Sequence, residues 1–278
     1  MQEIKNKIIE LIPYDKSHDF DYHIHIGQFY NEYYEPHKVI EVLKKNGLRG
    51  CWFSSLSTCL TWSNGFEKTY ITNHIDDEIK EALETAKELD FDAKALYWVN
   101  LDEYMQVIDN YIKEINVAKS ENDIEKNVTS VDLTDQKIKT IVYEYLLQRI
   151  TNINYFGFKI HTRFNYWDIK NTNVKIIFDV ICEYAKSYNM PILIHCGPDE
   201  CDSPKRFLDW FLIYNDVSFV LAHLRPAEDT IMVMKKCKNV WTDTAFASED
   251  SIKFANKEGM GDRVLYGTDY PINKNCYK

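Results

Sequence analysis

Eight short runs rich in β-branched and aromatic residues, alternating with longer stretches of helical period, constrain this chain more than any other feature. The runs are FDYHIHI (20–26), GCWFSSL (50–56), AKALYWV (93–99), YFGFKIH (155–161), MPILIHC (190–196), VSFVLAH (217–223), NVWTDT (239–244) and RVLYGTD (263–269). Between them lie PHKVIEVLKKNG, DDEIKEALETAKELD, TNVKIIFDVICEYAKSYN, SPKRFLDWFLIYND and EDTIMVMKKCKN. These carry apolar residues at i, i+3 and i+4, with turn or cap residues at their ends. Eight strands alternating with helices over about 250 residues predict an α/β chain folded as a (β/α)8 TIM barrel. A doubly wound open sheet is the alternative, but no GxGxxG follows the first strand.

The third unit is longer than the others. Residues 101–154 hold two helical segments, LDEYMQVIDNYIKEINVAK and DQKIKTIVYEYLLQRI, joined by the polar stretch SENDIEKNVTSVDLT. This reads as a helical and loop insertion in a single barrel domain spanning 1–278. Only nine residues follow Asp269, too few for a regular eighth helix. The expectation is that segment 3–12 covers that gap, or that the natural chain continues further.

Seven ionisable side chains fall at the C-terminal ends of five of these strands: His23 and His25, Lys159 and His161, His195, His223, and Asp269. In a barrel of this kind that face carries the chemistry, built from the ends of different strands. Strand period puts His23 and His25 on one face and Tyr22, Ile24 and Ile26 on the other. Singly, each residue has a bland reading: a hydrogen-bonded core histidine, a snorkelling lysine, a capping aspartate. Jointly they read as a site. Zinc takes imidazole nitrogen and carboxylate oxygen, and a catalytic site keeps one position for water. His23 and His25 supply two ligands, His195 a third and Asp269 an oxygen. Water on such a cation has a pKa near about 7 instead of about 15.7, and Asp269 then also serves as the proton acceptor. His223 is left to orient water, polarise the substrate or hold a second metal.

The segments DYHIHIG, GFKIHTR, ILIHCG, FVLAHLRP and LYGTDYP, spread over residues 21–271, resemble strand motifs of the amidohydrolase superfamily. They are most similar to its amidohydrolase-related (amidohydrolase 2) branch of metal-dependent hydrolases and non-oxidative decarboxylases. The resemblance implies a mononuclear ligand set of His23, His25, His195 and Asp269, one zinc, and a catalytic role for His223. Lys159 stands where binuclear members carry a carboxylated lysine bridging two metals. Its GFKIH context is closer to the single-metal branch, where the lysine stays an amine and meets an anionic substrate.

Arg163 and Arg225 follow the fourth and sixth strands, within reach of a substrate carboxylate or phosphate. The stretch CWFSSLSTCLTWSNGFEKTYITNH (51–74) offers a pocket wall or lid, and Asp243 is read as supporting or structural. A net charge of −10 argues against nucleic acid or an anionic membrane as partner and leaves a small molecule. Homo-oligomerisation stays open. There is no secretory apolar region and no run of about 18 apolar residues. Seven cysteines, odd in number and without a CxxC pair, predict reduced thiols and a cytoplasmic location. Cys196 and Cys201 in HCGPDEC are too far apart for a zinc knuckle. The expected activity is hydrolysis of a small C–N, C–O or P–O substrate. A decarboxylase on the same metal site is the alternative, and a non-catalytic metal- or ligand-binding barrel the third reading.

Overall fold

The computed structural model describes residues 11–13, 16–58, 68–122, 135–164 and 166–277. The chain opens with β1 (Phe20–Phe29), β2 (Glu32–Tyr34), α1 (Pro36–Lys45), β3 (Gly50–Ser55), α2 (Lys68–Glu88) and β4 (Asp92–Trp98). Two helices, α3 (Leu101–Asn122) and α4 (Asp135–Ile150), precede β5 (Gly157–Ile160). Then come α5 (Thr172–Tyr188), β6 (Ile192–Ile194), α6 (Leu208–Ile213), β7 (Phe219–Leu221), α7 (Ala227–Lys236), β8 (Val240–Asp243), α8 (Glu249–Lys257) and β9 (Val264–Leu265).

β2 folds back antiparallel on the end of β1. The other eight strands are parallel, each beside its successor in the chain. The sheet closes on itself: Tyr22 N–H donates to Tyr266 O (2.9 Å), Asp269 N–H to His23 O (2.8 Å) and His25 N–H to Tyr270 O (2.7 Å). These bonds join β1 to the chain just beyond β9, giving the (β/α)8 barrel that the alternation predicts. Among the described residues no helix follows β9.

Alternation along the strands sorts the core into two layers. Outward residues such as Ile24, Phe53, Phe158, Ile194 and Leu221 pack under the helices. Phe20, Tyr22, Trp52, Leu96, Leu193, Val220 and Leu265 fill the barrel. Tyr22 departs from the expected face, because the β1–β3 register shifts between Asp21 and Ile24. A bulge adds one residue and resets the parity, so Tyr22 turns inward while Ile24 and Ile26 stay outward. Helix ends follow their sequence signals: Pro36 opens α1, where a missing N–H costs nothing. Asn171 caps α5 through Asn173 N–H and Val174 N–H, and Asn189, at φ 52°, ends it.

Several expectations fall partly outside the described residues. Of segment 3–12, residues 3–10 lie outside; Leu11 is buried against the barrel-filling cluster, and the neighbouring Pro13 bridges to Leu265. Of the stretch 51–74, residues 59–67 lie outside, and residues from 68 onward belong to α2. Of the polar linker, residues 123–134 lie outside. α8 and β2 were not anticipated from the sequence.

Candidate active site

At the C-terminal end of the barrel the inward positions turn from apolar to polar. His23 and His25 come from β1, Lys159 from β5, and His161 and His195 stand one residue beyond β5 and β6. His223 follows β7 with φ 77°, and Asp269 follows β9 with φ 61°. All seven are buried, Lys159 completely. Gly267 lets the chain pass between two of these elements, since a Cβ there would lie 3.0 Å from Asp243 Cβ and 3.1 Å from His23 Cβ.

The hydrogen bonds place the proton of three of these imidazoles on Nδ1. His23 Nδ1 lies 3.0 Å from the Asp243 carboxylate, so Nδ1–H donates and Nε2 keeps its lone pair. His25 Nδ1 lies 3.3 Å from Ser54 O and 3.1 Å from Ser54 Oγ; where Ser54 Oγ–H donates to Nδ1, His25 Nε2–H donates to Asp269 Oδ1 at 3.0 Å, and a cation between them would take the place of that proton. His223 Nδ1 donates to Ala245 O (3.1 Å), and its Nε2 faces His195 Nδ1 at 3.0 Å. That relay forces the proton of His195 onto Nδ1. His195 Nε2 is left as a buried lone pair with no partner among the described residues.

His23 Nε2, His25 Nε2 and Asp269 converge. Asp269 Oδ1 is 3.0 Å from His25 Nε2 and 3.7 Å from His23 Nε2. The ligand atoms of these three residues lie within 4.8 Å of one another, a grouping able to hold a metal ion. His23, His223 and Asp243 form a second such group. Lone pairs and a carboxylate facing one another are favourable only around a cation or a shared proton. Lys159 Nζ meets part of that demand, donating to His23 Nε2 at 2.9 Å.

Burial lowers the imidazole pKa values, to about 4 for His25, about 3 for His223, and well below the ordinary value for His161 and His195. Neutral imidazole is the ligating form. Burial pushes Asp269 up, but His23 beside it and the hydrogen bond from His25 hold it well below the usual carboxylate range. Asp243 is shifted down in the same way: burial raises it, and His23 more than reverses this.

Not every expected residue joins the group. His195 stands beside the trio, linked to it through His223, whose ring centroid lies 5.1 Å from that of His23. His161 is face-stacked on His195 (centroids 3.9 Å, planes 14° apart) and on Trp98 (5.2 Å, 6°). Arg163 is 60% exposed and paired with Asp199 at 3.0 Å. Arg225 donates from Nε to Cys196 O (3.3 Å). Asp243, read from the sequence as supporting or structural, accepts from His223 N–H (2.9 Å) and Ala245 N–H (3.0 Å) besides its bond to His23. Ser54 and Trp98 were missed, although both sit at strand ends in the register of the named residues.

A family model described as Amidohydrolase matches residues 117–277, more than half of the chain, and the chain belongs to that family. Solved structures of similar fold include the phosphotriesterase homology protein of Escherichia coli, complexed with phosphate in its active site. Its TM-score is 0.53 and its identity 10%, over 93% of this chain and 85% of that one. The TatD-like protein of Archaeoglobus fulgidus aligns with a TM-score of 0.51 at 12% identity, over 91% and 87%. A 2,6-dihydroxybenzoate decarboxylase complexed with 2,6-dihydroxybenzoate aligns with a TM-score of 0.48 at 11% identity, over 91% and 87%. At such identities the likeness to the first two shows the fold alone. No curated protein matches the sequence significantly.

Proposed function

We propose that the protein is a metal-dependent hydrolase of a small C–N, C–O or P–O substrate. One divalent transition metal, zinc by the chemistry of its donors, is held by His23, His25, His195 and Asp269. The observation that carries this reading is the set of bare nitrogens. Asp243 and the Ala245–His223 relay occupy the Nδ1 side of His23 and His195, so both present Nε2 lone pairs, while the Asp269 carboxylate lies 3.7 Å from His23 Nε2 and 3.0 Å from His25 Nε2. A divalent cation there supplies Lewis acidity and brings water toward a pKa of about 7.

The chain's own groups do the rest. Asp269, ionised, accepts the proton of the attacking water. His223 keeps His195 in its tautomer, accepting from His195 Nδ1–H while its own Nδ1–H donates to Ala245 O. Lys159 stays an amine and meets the anionic part of the substrate, with His161, Arg163 and Arg225 around the mouth. A second metal with a carboxylated Lys159 is less favoured, because the amine already hydrogen-bonds His23 Nε2. Decarboxylation on the same metal site is the alternative reading: it needs a carboxylate clamp and a proton donor, for which Arg163, Arg225 and His223 are the candidates. The reading includes a single barrel domain and a cytoplasmic location, the latter supported by six free cysteines among the described residues.

Metal analysis of the purified protein, followed by a panel of esters, lactones, amides, phosphodiesters and unsaturated acids, tests this directly. About one metal per chain is expected. Asp269→Asn, which keeps a ligating oxygen but loses the base, should retain most of the metal while kcat falls at least about 10²-fold. His25→Ala should lose metal and activity together. Metal-free protein after zinc addition, or full turnover by Asp269→Asn, would overturn the assignment.

A further inference from the structure

His161 has the opposite hydrogen-bond polarity to its neighbours. Phe164 N–H donates to His161 Nδ1 at 3.2 Å. A nitrogen that accepts an N–H bond must offer a lone pair, so in the neutral ring the proton sits on Nε2. His23 and His195 have the reverse arrangement, with Nδ1 protonated and Nε2 bare. The ring is also held rigidly. Trp98 and His195 cover its two faces, and Phe164 meets it at 68° with centroids 4.5 Å apart. Thr162 Oγ1–H donates to His195 O (2.9 Å), which ties the turn carrying His161 to the end of β6. Among the described residues, His161 Nε2 makes no hydrogen bond.

We infer that His161 is a hydrogen-bond donor of fixed tautomer that holds a negatively charged oxygen of the substrate, or one that becomes charged during reaction, through Nε2–H. This deepens the proposed hydrolase reading and rests on it for the identity of the reaction. The fixed tautomer excludes two other roles. With Nδ1 occupied and Nε2 protonated, His161 is neither a metal ligand nor the general base. The His161 and His195 ring centroids lie 3.9 Å apart, so the donor belongs to the same end of the barrel as the proposed ligands. Preorganised donors of this kind act where charge develops and need no reorganisation at the moment of reaction. The recognised chemistry is shared by carboxylates, phosphoryl groups and the oxyanion of acyl transfer.

Long-range ¹H–¹⁵N correlation spectra of the full-length protein at neutral pH read the tautomer directly. His161 Nδ1 should resonate as a bare nitrogen and Nε2 as a protonated one, both with zinc and after chelation, and inorganic phosphate should move the Nε2–H resonance. A protonated Nδ1, or a resonance indifferent to phosphate, would overturn the inference. These readouts stand whether or not the protein proves to be a metal-dependent hydrolase, so the two failures are separable. On a hydrolysed member of the substrate panel, His161→Phe, which keeps the stack but removes the donor, should lower kcat about 10²–10³-fold with metal content unchanged. His161→Gln, which restores a donor, should recover part of that loss. Loss of metal in His161→Phe would make the residue a ligand and refute the donor role.

Discussion

Asp243 holds two parts of the site with one side chain. Oδ2 accepts from His23 Nδ1–H, while Oδ1 accepts from the backbone of His223 and Ala245. An asparagine fills the same space, but its amide cannot accept on both sides. Asp243→Asn should therefore weaken metal binding by about 10–100-fold, the scale set by partners behind metal-bound histidines. Competition with a chelator measures it, and unchanged affinity would mean that His23 holds its tautomer unaided. The positions were legible: strand period and the C-terminal ends of the strands pick out His23, His25, Lys159, His195, His223 and Asp269, and the structure buries all six at one end of the barrel. Asp243 was read only as supporting or structural, without its partners, and Ser54 and Trp98 were not singled out. Asp243 acts through a partner 220 residues away and Ser54 through one 29 residues away; nothing local in WTDT or WFSSL announces either contact.

The elements were legible where a pattern is long and strong, and less so where tertiary closure takes over. α4 and α5 carry four or more buried apolar residues each, and both were read within a residue of their ends. α8 has a serine cap and an acidic first turn, yet Ala255 is its one buried residue, so the apolar stripe that reveals a helix is too thin. The run RVLYGTD was read as a full strand. Only Val264–Leu265 ladders with β8, while the residues after it bond across to β1. β1 itself depends on Gly27, at φ +83°, where an added Cβ would lie 2.6 Å from both Glu78 Oε2 and Ser57 Oγ. Those atoms belong to a buried cluster in which Ser55 (2.5 Å) and Ser57 (2.7 Å) donate to Glu78. Gly27→Ala combines a left-handed backbone with overpacking and should destabilise the protein by at least about 2 kcal/mol. Asn171→Ala, which removes only the α5 cap, should cost about 1 kcal/mol. Urea midpoints of the two variants rank these effects, and an equal or reversed order would mean that the cluster yields to the methyl group.

At the scale of the whole barrel, stability and site meet at the seam between β1 and β9. A two-residue strand offers few ladder bonds, and the closure relies on Asp21, which is wholly buried. Asp21 accepts from His23 N–H (3.0 Å), Thr268 N–H (3.2 Å), Thr268 Oγ1–H (2.6 Å) and Tyr277 O–H (2.7 Å). Burial nevertheless raises its pKa to about 6, so each donor counts against the cost of desolvating the charge. Tyr277 also packs its ring on Tyr270 at 5.2 Å. Tyr277→Phe keeps this ring contact and removes the hydroxyl alone. Leaving a buried carboxylate one donor short should cost about 1–3 kcal/mol, and for a chain of this size each kcal/mol lowers Tm by roughly 2–4 °C. Because Asp21 bonds the backbone of both His23 and Thr268, which adjoin the proposed ligands, the same variant should weaken metal binding although Tyr277 lies outside the metal group. Tyr188→Phe is the control: that side chain is half exposed, and its loss should stay within about 0.5 kcal/mol. A Tyr277→Phe protein as stable as wild type would show that the seam is held by backbone bonds alone. Lowered Tm with unchanged metal affinity would confine Asp21 to closing the barrel.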